Sequence, residues 1–176
     1  LPQEQHEEFM LFCCCVHGKP AATQIGKLEE WADLMRDMWP TQSLFTIIRS
    51  LDDGELIASM QQVRLGQYKR ISQMWRGLVQ LQKPCTIEGL MSVPFIGPKT
   101  AHFIMLYTTG GDYPVIDRHV LRWMSRRYKV PASPPPDLAR YAEIANLFRF
   151  EAKAHGMTVG ELDKEIWTAA ATRRKM

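Results

Sequence analysis

No apolar run in this chain approaches the roughly 18 residues that a membrane span requires, and the opening Leu-Pro-Gln-Glu-Gln lacks the pattern of a signal peptide. A soluble protein of the cytoplasm, without a membrane partner, is the expectation. Cysteine is scarce: there are four, and three are consecutive (Cys13, Cys14, Cys15), with Cys85 alone. Side chains of neighbouring helical residues fan out by about 100° per residue, so three in a row cannot grip one metal ion. The spaced pattern of an iron–sulfur cluster is missing as well. Buried thiols in a reducing compartment are expected, with no metal and no cofactor. Net charge is also small. Against 19 Asp+Glu stand 22 Lys+Arg, leaving +3 over 176 residues, too little to argue for any partner. There is no internal repeat of solenoid period.

What the chain does have is helical patterning. Hydrophobic residues make up 45% and charged residues 23%, ordinary values for a folded globular protein. The length suits one domain, or two small lobes sharing a core. Ile25, Leu28, Trp31, Leu34, Met35 and Met38 form an amphipathic stripe, predicting a helix from about Ala22 to Met38. Other helices are expected near Gln5–His17, Glu55–Val63, Gln67–Gln82, Ile87–Val93, Pro98–Thr109, Arg118–Tyr128, Leu138–His155 and 158–172. Ser43–Leu51 reads as a short apolar segment, and Asp52-Asp53-Gly54 as a turn. Thr86 and Asp117 stand where N-caps belong, and Thr158-Val159-Gly160-Glu161 is a capping box. About ten helices and no convincing strand pair predict an all-α fold.

Charge is uneven along the chain. From Leu56 to Ile87 there is no acid, while Arg64, Lys69, Arg70, Arg76 and Lys83 are basic. From Arg118 to Val130 there is again none, with Arg118, Arg122, Arg126, Arg127 and Lys129. Arg118, Arg122 and Arg126 are spaced four apart and are expected on one helix face, a costly stack unless a polyanion meets it. Two acid-free basic runs point to a phosphate backbone.

Between those runs lies a distinctive turn, Leu90-Met91-Ser92-Val93-Pro94-Phe95-Ile96-Gly97-Pro98-Lys99-Thr100-Ala101. It resembles the helix–hairpin–helix of the DNA glycosylase (HhH-GPD) superfamily, whose pattern is Leu-Pro-Gly-hydrophobic-Gly-x-Lys-x-Ala. Eighteen residues after Lys99, Val115-Ile116-Asp117-Arg118-His119-Val120-Leu121-Arg122 is similar to that family's aspartate-bearing segment. Gly66-Gln67-Tyr68-Lys69-Arg70 resembles its Gly-x-Tyr-x-x-Lys region. The resemblance implies a single domain over 1–176, a two-lobed helical fold with its cleft between the lobes, and DNA as partner. It makes Asp117 the carboxylate beside sugar and base, and Lys99 the nucleophile of the lyase-competent members. It also makes Phe95, Gly97, Lys99, Thr100, Tyr68, Lys69, Arg70, Arg118, His119 and Arg122 the DNA contacts. His102 and His119 read as packing or phosphate contacts rather than catalysts.

Two departures stand out. Phe95 occupies the place of the hairpin's first glycine, giving looser docking or an aromatic wedge. At the first helix boundary, Val16-His17-Gly18-Lys19-Pro20-Ala21 replaces the Ser-Gln-x-Thr-like segment of the repair enzymes. That segment looks more like the phage amino acid:DNA transferases, the α-glutamyl/putrescinyl thymine pyrophosphorylases. The implied reaction attaches an amino acid or amine to a phosphate-activated 5-hydroxymethyluracil of a flipped base, giving a hypermodified thymine. His17, Gly18 and Lys19 would then hold the leaving group, and the amine is the co-substrate. The alternatives are a base-excision glycosylase with lyase activity through Lys99, and a non-catalytic binding module. A monomer is expected.

Overall fold

Local sequence decides where most helices begin. Ser43 caps α3 (Leu44–Ser50) by accepting from Thr46 N–H, and Thr86 caps α6 (Ile87–Met91) through Gly89 N–H. Thr158 and Glu161 exchange the bonds of a capping box before α10 (Val159–Arg173). The computed structural model describes residues 3–16, 19–82 and 85–173. Among them it is all helix, with no strand. The remaining elements are α1 (Gln3–Cys15), α2 (Ala21–Met38), α4 (Asp53–Gln62), α5 (Tyr68–Gln80), α7 (Pro98–Thr109), α8 (Arg118–Met124) and α9 (Leu138–Ala154).

Two boundaries depart from expectation. Asp52-Asp53-Gly54 is no turn: Asp52 and Glu55 form a reciprocal capping box, so these residues open α4. Helix α8 stops at Met124 instead of running to Tyr128. Beyond it, Arg127 and the Tyr128 hydroxyl both reach the carboxylate of Glu151, which is buried on α9. A buried carboxylate without partners is costly, so satisfying it bends the chain out of the helix. Arg126 therefore lies outside α8, and only Arg118 and Arg122 share its helical face.

The chain divides into two compact units, Leu1–Ile96 and Gly97–Met176. The first is built around Trp31 and Trp75, fully buried with ring centroids 4.6 Å apart. Each indole N–H is satisfied, Trp31 by Ser59 Oγ at 2.9 Å and Trp75 by the Leu11 carbonyl at 3.2 Å. Cys13, Cys14 and Cys15 pack in this core. The thiols of Cys14 and Cys15 donate back to the carbonyls of Met10 and Leu11, and burial pushes the Cys15 thiol up to about 12. They are inert filling. Gly77 of α5 sits against Val93: a Cβ there would lie 2.6 Å from Val93 Cγ1. The second unit buries Ile116, Val120, Leu121, Met124, Tyr141, Ile144, Phe148, Leu162 and Ile166 around one centre.

Candidate functional site

Helix α7 starts on bare backbone. Gly97 precedes it in extended conformation (φ −97°, ψ 179°), without a side-chain cap, and Pro98 at the first position brings no N–H. Any residue could adopt that backbone, and a Cβ at Gly97 would meet nothing within 4 Å. Neither conformation nor internal packing calls for glycine here. Its absence of side chain leaves room for an outside group to approach the chain closely. Next to it, Lys99 is exposed and Thr100 is buried. His102 is buried too, its Nδ1 2.8 Å from the Pro98 carbonyl and its ring 4.6 Å from that of Tyr141. Burial lowers its basicity. It is a packing residue.

The approach to Asp117 is held by one side chain. Tyr141 of α9, fully buried, donates its hydroxyl to the Pro114 carbonyl (3.0 Å) and accepts from Ile116 N–H (2.8 Å). Burial raises the phenol's proton affinity, which keeps that hydroxyl intact. Asp117 then caps α8: one oxygen, Oδ1, accepts from the N–H groups of His119 (2.7 Å) and Val120 (2.8 Å). The side chain is half-buried rather than sealed, and among the described residues Oδ2 has no hydrogen-bond partner. One oxygen orients the group and the other is presented.

A second carboxylate stands near it, in the tail Glu161-Leu162-Asp163-x-x-Ile166-Trp167, to which the sequence alone assigns no catalytic role. Asp163 of α10 is 9% exposed and, among the described residues, makes no hydrogen bond. Burial chiefly, then the negative charge of Asp117, push its carboxyl up to about 7, while Lys99 pulls the other way. Asp117 and Lys99 thus both lie within electrostatic reach of Asp163. Trp167, one helical turn after Asp163, is 55% exposed and offers an aromatic surface on that side of α10. A signal was available. Val159, Leu162, Asp163 and Ile166 follow the i, i+3, i+4, i+7 rule of a buried stripe, and the acid breaks it.

The basic residues separate into groups. His119, Arg122 and Arg126 line a groove of about 350 Å³ together with Trp123, Glu165, Ile166, Ala169 and Ala170. Among the described residues, none of these three side chains makes an ion pair. Arg118 is exposed. In the first unit Lys69 is exposed and Tyr68 half-buried, and the Arg70 guanidinium lies over the Phe95 ring, 5.2 Å from its centroid. Two cations of the basic runs have internal duties instead. Arg76 binds the Asp53 carboxylate and the carbonyls of Ile48 and Leu51, and Arg127 binds Glu151. His17 and Gly18 lie outside the described residues, and Lys19, next to them, is exposed. Among the described residues no group of His, Cys, Asp and Glu converges to hold a metal ion.

No protein-family model matches the chain, and no solved structure matches it. A stretch of 56 residues is 38% identical to the 8-oxoguanine DNA glycosylase/AP lyase of Thermoplasma volcanium. The match covers 32% of this chain and 26% of that protein, about a quarter of the relative's length.

Proposed function

We propose that the chain is a DNA glycosylase-like enzyme that acts on one nucleotide turned out of its strand, with lyase chemistry through Lys99. The observation that carries this reading is the cluster of one amine and two carboxylates: Lys99 at the start of α7, Asp117 at the start of α8, and Asp163 on α10. The similarity to a glycosylase/AP lyase supports it.

Each group has a part. The Lys99 amine attacks C1′ of the sugar as the bond from C1′ to the base breaks, and the base departs with the electron pair. The amine's proton passes to a carboxylate and on to the ring oxygen, whose bond to C1′ breaks as the nitrogen lone pair closes on C1′, so the sugar opens to an iminium joined to Lys99. Positive charge developing at C1′ is stabilised by Asp117, whose orientation is set by two backbone N–H groups before any substrate arrives. The departing base needs a proton. Asp163 holds one at about neutral pH, as a general acid must. Trp167 supplies a face on which the extruded base can stack. His119, Arg122 and Arg126, which make no ion pair among the described residues, suit the flanking phosphates.

The transferase reading rests on His17, Gly18 and Lys19, and no observation puts it ahead. Borohydride reduction during reaction with DNA containing oxidised, deaminated or abasic sites separates the readings. A covalent protein–DNA adduct, lost in Lys99→Gln, is the expected result. Growth of a nucleoside's mass on 5-phosphomethyluracil DNA plus an amine, with no abasic site, would establish the transferase instead. Binding without either reaction would leave only a module that docks on DNA.

A further inference from the structure

Phe95 sits where a side chain is least welcome. Its φ is +66°, the left-handed region that glycine enters freely and a bulky residue does not. Burial does not compensate, since the residue is 51% exposed. The turn itself is firm: Ile96 N–H bonds the Val93 carbonyl at 3.1 Å, and both of those flanking side chains are buried. A rigid support thus presents an aromatic ring to solvent at the expense of stability. On the ring lies the Arg70 guanidinium, 5.2 Å from the centroid, from the first turn of α5. Strain, exposure and a cation converge on one side chain.

We propose that Phe95 is a stacking platform for an unpaired nucleobase, with Arg70 over the ring answering a phosphate of the same strand. The proposal rests on the reading of the chain as a DNA-acting protein and deepens it by naming the feature of DNA that is sensed. Bases inside a continuous duplex are stacked on their neighbours and show only edges in the grooves. A flat aromatic face finds its complement only where a base has lost its stacking partner, at a bulge, a gap or a strand end. A guanidinium beside that face adds the charge a nucleic acid strand requires and an apolar protein segment would not.

The test compares a duplex carrying one bulged 2-aminopurine with a continuous duplex of the same sequence. The wild-type protein, Phe95→Gly and Phe95→Tyr are titrated against each by fluorescence anisotropy. The wild type is expected to prefer the bulged duplex by about tenfold, the worth of one stacked base, and to quench the 2-aminopurine. Phe95→Gly should lose both the preference and the quenching, and Phe95→Tyr should restore them. Because glycine relieves the backbone, Phe95→Gly should also melt about 2–4 °C higher. A retained preference in Phe95→Gly overturns the proposal, and so does a lower melting temperature, which would make the ring a packing element. Equal wild-type affinity for the two duplexes removes this role alone. Failure to bind either one removes the DNA reading with it.

Discussion

Asp117 and Asp163 are unlike carboxyls: two backbone N–H groups order the first, while burial chiefly, and then the negative charge of the first, raise the proton affinity of the second. Asp163 is thereby poised to give up a proton near neutral pH, beside a carboxyl group held in place by the start of its helix.

That pairing makes stability depend on pH. The folded protein holds the Asp163 proton up to about pH 7, whereas an unfolded chain releases it near 3.9. The folded state therefore binds the extra proton between those values, and stability falls as pH rises through them. The loss is of the order of a few kcal/mol. Asp163→Asn should remove this dependence, melting above the wild type at pH 8 and no higher near pH 4. Melting curves collected across that range check it. Parallel curves for the two proteins would mean Asp163 ionises as an ordinary surface acid does.

Asp117 has a structural duty and a chemical one, and two substitutions separate them. Asparagine keeps an oxygen for the N–H groups of His119 and Val120, so Asp117→Asn should fold and bind DNA but lose turnover. Asp117→Ala should in addition cost about 1 kcal/mol of stability, the usual worth of a cap. Chemical denaturation combined with a single-turnover assay distinguishes them. Equal loss of DNA binding in Asp117→Asn would make its role purely structural.

Tyr141 acts at one remove. Tyr141→Phe leaves the Ile116 N–H and the Pro114 carbonyl without their buried partner. The expected cost is about 1–3 kcal/mol. Because those groups lead straight into Asp117, turnover should fall further than DNA affinity does. A fall in affinity alone would count against this positioning role.

Arg122 belongs to the groove between α8 and α10. Arg122→Ala should weaken binding to every DNA sequence alike and flatten the salt dependence by about one unit for the lost phosphate contact. An unchanged slope excludes it from the footprint.

The helices were legible because their signals are local. Thr86, Asp117 and the Thr158–Glu161 pair are caps readable within four residues, and the stripe of α2 is a periodicity. The same locality explains the failures. Asp52-Asp53-Gly54 has the composition of a turn, and only the reciprocal bond with Glu55 makes it a helix start. What ends α8 at Met124 is Glu151, more than twenty residues along the chain. Arg76 reads as a phosphate contact until its carbonyl partners on Ile48 and Leu51 are seen. At the candidate site, Lys99 and Asp117 carry a spacing that motif reading finds. Asp163 joins them only through packing, and its trace in the sequence is a single acid in an apolar stripe. The positive φ of Phe95 leaves only an indirect trace, a place where the hairpin pattern carries glycine, since the residue type itself announces nothing.

The bare α-carbon of Gly77 works at a distance. It lets α5 close on Val93 to a separation that one methyl would violate; Arg70 lies two turns up that helix, and Phe95 follows Val93 by two residues. An alanine at 77 would act as a shim, prising guanidinium and phenyl ring apart, so discrimination among DNA forms could be abolished from a position that never meets the nucleic acid.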